Sequence, residues 1–192
     1  MCWMACFLVS ALANKYPAMT PFHIRPLEGN DFSAFLEIQK DALLNAPEVF
    51  GSDYDWFDNL SILSKEQRYE KYMLFPYQYL LGAIANSGDV IGMIGFSCEH
   101  TRTKVKHKGK IWGMYVKPEY RRQDIASSLV QSVVQTAEEI GCEQIQLAVS
   151  TNNQDSHGLY LRLGFTVFGM ESHAVKLADG YVDEYLMVKF LR

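Results

Sequence analysis

The sequence predicts a mixed α/β fold, a central and mostly antiparallel twisted sheet flanked by helices, on three observations. The longest periodic segment puts Ile125, Leu129, Val133, Ala137 and Ile140 on one helical face, with Gly141 as its stop. Short runs rich in β-branched and aromatic residues lie on both sides of that helix, several of them joined by short turns. No Pro-, Gly- or Ser-rich linker marks a boundary, and 192 residues suffice for one full core but not for two.

In chain order, FHIRPL from Phe22 reads as a short strand closed by Pro26, with Asn30 as N-cap of an apolar-periodic helix over Asp31 to Leu44. Pro47 and the GSDYD run from Gly51 read as a loop. Ser64 and Gln67 have capping-box spacing before a second short helix ending near Leu74. Three strands follow, Gln78 to Ile84, Val90 to Glu99 and Lys110 to Val116, joined by the turn NSGD and the charged stretch TRTKVKHKG. Beyond the long helix come the strand QIQLAV and a helix from about Gln154 to Leu163, ended by Gly164. FTVFGM and YVDEYLMVKFL then form a hairpin around Asp179 and Gly180.

Composition narrows the function classes. Eighteen basic against twenty-two acidic side chains give a formal charge of -4, so neither a nucleic acid nor an anionic membrane is expected as the main partner. The four cysteines, Cys2, Cys6, Cys98 and Cys142, form no CxxC pair and no finger-type spacing with histidine, so no metal site is expected. Free thiols in a reducing, cytoplasmic setting fit a chain of this size. The opening MCWMACFLVSALA is apolar but lacks a basic region before it and is too short to span a bilayer. Residues 1–19 are therefore read as an extension to a single domain over 20–192, with a helix packed on the body and an export signal as the other readings.

The chemically informative stretch is MYVKPEYRRQDIASSL, Met114 to Leu129, which runs from a strand through an Arg-rich turn into the strong helix. Exposed backbone N–H groups at such a helix start attract anions, and Arg121 and Arg122 add positive charge, so a phosphate-bearing ligand is one reading and a solvated turn the other.

Arg121, Arg122, Gln123, Asp124, Ile125 and Ala126 resemble motif A of the GCN5-related N-acetyltransferase family: Arg or Gln, two variable residues, Gly, one variable, then Gly or Ala. Asp124 departs from it, standing where the family has glycine. Asn153, Ser156 and LYLRLGF from Leu159 to Phe165 resemble motif B, N-x-x-A-x-x-L-Y-x-x-L-G-F, with serine in the alanine place. FHIRPL, ALLNAPEVFGSDYD and YLMVKFL are also similar to members, so the resemblance covers Phe22 to Arg192.

The resemblance implies the acyl-CoA N-acyltransferase fold and an acetyl-CoA site between two diverging strands. Backbone of Met114, Tyr115 and Val116 would pair with the pantetheine arm, and the turn residues Arg121, Arg122, Gln123, Asp124, Ile125, Ala126 and Ser127 would hold the diphosphate. Asn153 would bond the cofactor arm, although an N-cap serves it equally well. Tyr160 would protonate the departing thiolate; taken alone, it reads as a core aromatic. Aspartate at position 124 adds a Cβ and a negative charge near an anion, which predicts weaker cofactor binding unless Arg121 or Arg122 pairs with it.

The general base is not evident. Some relatives that acetylate ribosomal proteins and peptide N-termini have a glutamate where this chain has Ala148, which argues against a protein N-terminus as acceptor. Glu99, Glu184 and a water wire remain. The run Arg102 to Lys110 reads as a solvated turn, or as a patch that steers CoA phosphates. Tyr54, Trp56, Phe57 and Tyr72 lie where the family shapes its acceptor pocket, or they anchor a long connection.

The activity implied is acetyl transfer from acetyl-CoA to a primary amine, on a small molecule or a protein, by direct attack in a ternary complex. The alternative is a non-catalytic acyl-CoA-binding or sensor protein of the same fold. Homodimerisation is common in the family and the apolar N-terminus could add to an interface, though no exposed stripe points to one.

Overall fold

The computed structural model describes residues 20–47, 50, 52–178 and 180–191. The extension over 1–19, with Cys2 and Cys6, lies outside them. Eight strands form one sheet: β1 (Phe22–Pro26), β2 (Met73–Leu74), β3 (Gln78–Ala85), β4 (Val90–Cys98), β5 (Lys108–Val116), β6 (Gln144–Ser150), β7 (Thr166–Leu177) and β8 (Gly180–Phe190). Their order is β1-β3-β4-β5-β6-β8-β7, with β2 on β3. Every described pairing is antiparallel except β5 with β6.

Both faces of the sheet are covered at β3, which is why that strand is almost wholly apolar, whereas β7 is largely exposed. Tyr79, Leu81, Ala83 and Ala85 point into a core shared with helix α4 (Ile125–Glu139) and helix α5 (Gln154–Arg162). Leu80 and Ile84 point to the opposite face, where helix α1 (Phe32–Asn45) supplies Phe35, Ile38 and Ala42. The α4 stripe is as the spacing predicts: Ile125, Leu129, Val133 and Ala137 are buried, and Ile140 packs against them.

The sequence reading misses three helix starts. Helix α1 begins at Phe32, after a turn of 3-10 helix over Gly29–Asp31; Glu28 and Asp31 form the capping box there, and Asn30 does not cap. Asp31 also holds Arg25 through two contacts, at 2.6 and 2.9 Å. The GSDYD loop runs into a helix, α2 (Tyr54–Asn59), because the Asp53 carboxylate accepts the Trp56 N–H at 2.6 Å. Helix α3 (Ile62–Glu70) has its cap three residues before the expected one: Ser61 accepts from the Ser64 N–H, so Ser64 is inside the helix. The three expected strands around β3, β4 and β5 and the C-terminal hairpin are present; Asp179 at its turn lies outside the described residues.

Two features of β5 position the site. Its pairing with β6 covers only Lys108–Lys110 against Gln144–Gln146, after which the strands separate. A bulge against β4 lets Gly113 and Met114 together oppose Ile94, with Gly113 at φ +61°.

Candidate active site

The separation of β5 from β6 opens a cleft of about 1030 Å³, lined by Met114 to Val116, the turn into α4, and α5 from Asn153 to Arg162. A narrow recess of about 50 Å³ continues it between the strands; Met114, Asn153 and Ser156 belong to both walls. Trp112, Ala148, Ser150, Tyr160 and Glu184 complete the recess.

The backbone of β5 is suited to accept an extended chain. The Lys117 N–H donates to the Ile91 carbonyl at 3.0 Å. Alternation along an antiparallel strand therefore turns the peptide groups of Val116 and Met114 away from β4 and into the split. The Val116 carbonyl accepts the Arg121 Nε–H at 3.1 Å, as that direction requires. Tyr115 points to the other face of the sheet, where its hydroxyl donates to Asp41 of α1 at 2.8 Å; burial, then Asp41, push the phenol up to about 12.

At the end of β5, Arg122 and Asp124 both adopt positive φ, +60° and +58°. Asp124 is thus in the left-handed conformation that glycine takes most readily, and it is the residue before the first turn of the 15-residue α4. Its side chain does not cap that helix, and among the described residues it makes no ion pair with Arg121 or Arg122. The compensating pair that would turn it from an anion is not formed. Arg121 instead lies over the Tyr115 ring, 5.7 Å from its centre.

Gln123 is the one turn residue whose side chain leaves the cleft. It is buried, and its Oε1 accepts the Thr20 N–H at 2.7 Å, fixing the chain entering β1. Ile125 is likewise mostly a core residue. Asn153 caps α5 through Oδ1, which accepts the Ser156 N–H at 3.0 Å, while it also lines the cleft. Tyr160 is 5% exposed, packs edge-on against Phe165, and its hydroxyl donates to the Met114 sulfur at 3.6 Å. Burial pushes this phenol well above its usual range, so it stays protonated at any physiological pH.

The two carboxylate candidates separate clearly. Glu99 follows β4 at the paired end of the β5–β6 zipper, away from the split, and is held by Thr101 and Arg102 in an exposed turn. Those bonds keep it far below the usual carboxylate range, and they leave it no part in the cleft. Glu184 lines the recess with Tyr160. The basic run also sits at that remote end of β5, one strand length from the α4 turn, so it does not border the cleft. Of the four aromatic candidates, Tyr72 alone is seen to reach the recess wall, its ring tilted by 43° against Trp112 with the centroids 4.7 Å apart. Sequence reasoning passed over Trp112 itself, because no spacing rule distinguishes it from an ordinary strand aromatic.

Among the described residues no three His, Cys, Asp or Glu side chains converge as a metal site, and no helix is long and apolar enough to cross a membrane. Cys98 and Cys142 are free thiols.

A sheet that splits beside an anion-ready helix start, with a buried phenol facing the split, is the arrangement that the resemblance to acyl-CoA-dependent transferases implies. A sequence model of the acetyltransferase (GNAT) family matches residues 43–165, and the chain belongs to that family. It is 30% identical over 145 residues to N-alpha-acetyltransferase 30 of Dictyostelium discoideum, covering 68% of this chain and 76% of that one. The fold is shared with a GNAT-family acetyltransferase from Streptococcus pneumoniae at TM-score 0.77 and 24% identity, over 90% of this chain and 100% of the other. It is also shared with an acetyltransferase from Salmonella typhimurium solved with acetyl-CoA, at TM-score 0.75 and 20% identity, over 90% and 95% of the two chains. The chain is accordingly an acetyl-CoA-dependent N-acetyltransferase.

Proposed function

We propose that residues 20–192 form a single catalytic domain that moves the acetyl group of acetyl-CoA to a primary amine by direct attack in a ternary complex. The observation that carries this reading is the split of β5 from β6, with the Met114 and Val116 peptide groups turned into it and the α4 start at its end. These features fit the chemistry of coenzyme A: amides for the free strand groups, a diphosphate for the successive N–H groups from Arg122 to Ser127, and Arg121, Arg122 and Arg162 for its charge. Asn153 keeps its amide N–H donors for the cofactor arm while its oxygen caps α5.

Tyr160 is the proton donor. A phenol raised by burial is a poor acid against a thiolate in water, whose thiol has a pKa of about 8.5. The same recess desolvates the thiolate and raises its proton affinity too, which restores the match. Among the described residues no cysteine lines the cleft or the recess, which supports direct attack over an acyl-enzyme.

The acceptor is a primary amine, free or on a peptide. The likeness to an N-alpha-acetyltransferase makes a peptide N-terminus one acceptor to test, despite Ala148. The free thiols of Cys98 and Cys142 support a reducing, cytoplasmic setting. Calorimetric titration of acetyl-CoA, followed by thiol release against a peptide, a polyamine, lysine and an aminoglycoside, tests the reading. Binding with amine-dependent release is expected; absence of binding at millimolar acetyl-CoA overturns it.

A further inference from the structure

We infer that Glu184 is the general base, taking the proton of the attacking amine directly or through one water in the recess it shares with Tyr160. This rests on the acetyl-transfer reading above. Glu184 is on β8, directly across from Ser150 at the end of β6, where that strand has already parted from β5. Among the described residues it is the one carboxylate side chain on the recess wall, which it shares with Trp112, Ala148, Ser150 and Tyr160. About 50 Å³ exceeds the roughly 10–15 Å³ that one water needs, so a proton can be relayed across it.

The surroundings leave Glu184 free to accept a proton. Among the described residues it has no salt bridge and no side-chain hydrogen bond, in contrast to Glu99, which is committed to Thr101 and Arg102. Its charged neighbours are Glu171, opposite it on β7, and Lys110 on β5. Burial, chiefly, and Glu171 raise its carboxyl, and Lys110 pulls it back. Helix α5 brings Tyr160 to the recess and stacks His157 on Tyr185, the neighbour of Glu184, at 4.8 Å. A carboxylate whose proton affinity is raised by burial is a stronger base than an ordinary exposed one.

The step balances. The amine nitrogen bonds to the thioester carbonyl carbon, its proton passes to Glu184, the carbon–sulfur bond breaks, and the thiolate takes the proton of Tyr160. Glu184 and the Tyr160 phenolate border one cavity, so the proton held by the first can return to the second and reset the enzyme without exchange with bulk solvent.

The test compares the full chain with Glu184→Gln, Glu184→Asp and Glu171→Gln, by acetyl-CoA titration and by kcat against pH, using whichever amine of the panel the wild type accepts. Slow hydrolysis of acetyl-CoA serves as a second readout with water as nucleophile. Glu184→Gln should bind acetyl-CoA within twofold of wild type and lose about hundredfold or more in kcat, with the acidic limb of the profile abolished. Glu184→Asp should recover part of the rate. Glu171→Gln should stay within threefold at pH 7.5 and move the acidic limb to lower pH, because a negative neighbour is gone. A Glu184→Gln enzyme that binds acetyl-CoA and turns over within threefold with its acidic limb intact overturns the assignment and leaves the acetyltransferase reading standing. A wild type that does not bind acetyl-CoA overturns both.

Discussion

The Tyr160 hydroxyl and the Met114 sulfur, 3.6 Å apart, join helix α5 to the bulged strand β5 across the mouth of the split. A thioether is a weak acceptor, so the phenol is positioned without being strongly held. That suits the proton donor proposed above.

Tyr160→Phe should lower kcat by about hundredfold, a typical contribution of one acid catalyst. The thioether contact contributes little stability, so the thermal midpoint should change by only a few degrees, and the acetyl-CoA dissociation constant should stay within twofold. Steady-state kinetics and calorimetry on the same sample check this. Unchanged kcat removes the donor role.

Asp124→Gly should tighten acetyl-CoA. The substitution relieves left-handed backbone strain at φ +58° and removes a carboxylate with no ion-pair partner among the described residues from the diphosphate's end of the cleft. A like-charge contact at 4 Å costs about 1 kcal/mol even in water, or about fivefold in affinity. Equal dissociation constants by calorimetry would show that the aspartate is turned away when cofactor binds.

Gly95→Ala should damage the recess from behind. A Cβ there would lie 2.5 Å from ring atoms of Trp112, far inside contact distance, and the ring is part of the recess wall. Displacing it should cost about 1–3 kcal/mol and shift the tryptophan emission, with kcat falling more than acetyl-CoA affinity. An alanine variant with native emission and urea midpoint would contradict the geometry.

Arg25→Gln should destabilise the protein at pH 7 and much less at pH 3. The Asp31 carboxyl is held below its usual range first by Arg25, so its contribution is present above the unfolded value near 4 and is lost as pH falls through the lower folded one. Arg25 is 38% exposed, which limits the effect to about 1 kcal/mol. Urea midpoints of both proteins at the two pH values measure the closing gap.

The elements legible in the sequence were those whose periodicity expressed burial. β3 and α4 read correctly because every apolar residue there faces a core. The starts of α1, α2 and α3 did not, because Asp31, Asp53 and Ser61 compete with equally plausible caps one to three residues away, and only the backbone path chooses between them. The turn before α4 and Tyr160 were visible as motifs. Trp112 and the choice of Glu184 over Glu99 were not, because both depend on where β5 leaves β6, a matter of pairing between residues more than thirty positions apart. The motif gave Gln123 a place through its backbone N–H alone, and its side chain has a separate task that only the fold reveals, the tether to Thr20.

The three residue pairs that fasten β5 to β6 also set how the molecule holds together. On one side of that clasp lie five strands, on the other three, and nothing but the clasp and the helices ties the two leaves across the sheet. An extended ligand seated along Met114 to Val116, as proposed above, would become a ninth strand in all but covalent bonding, bridging the leaves where the chain itself does not. The substrate would then double as scaffolding, and the stability of the folded protein would rise with the acetyl-CoA concentration around it.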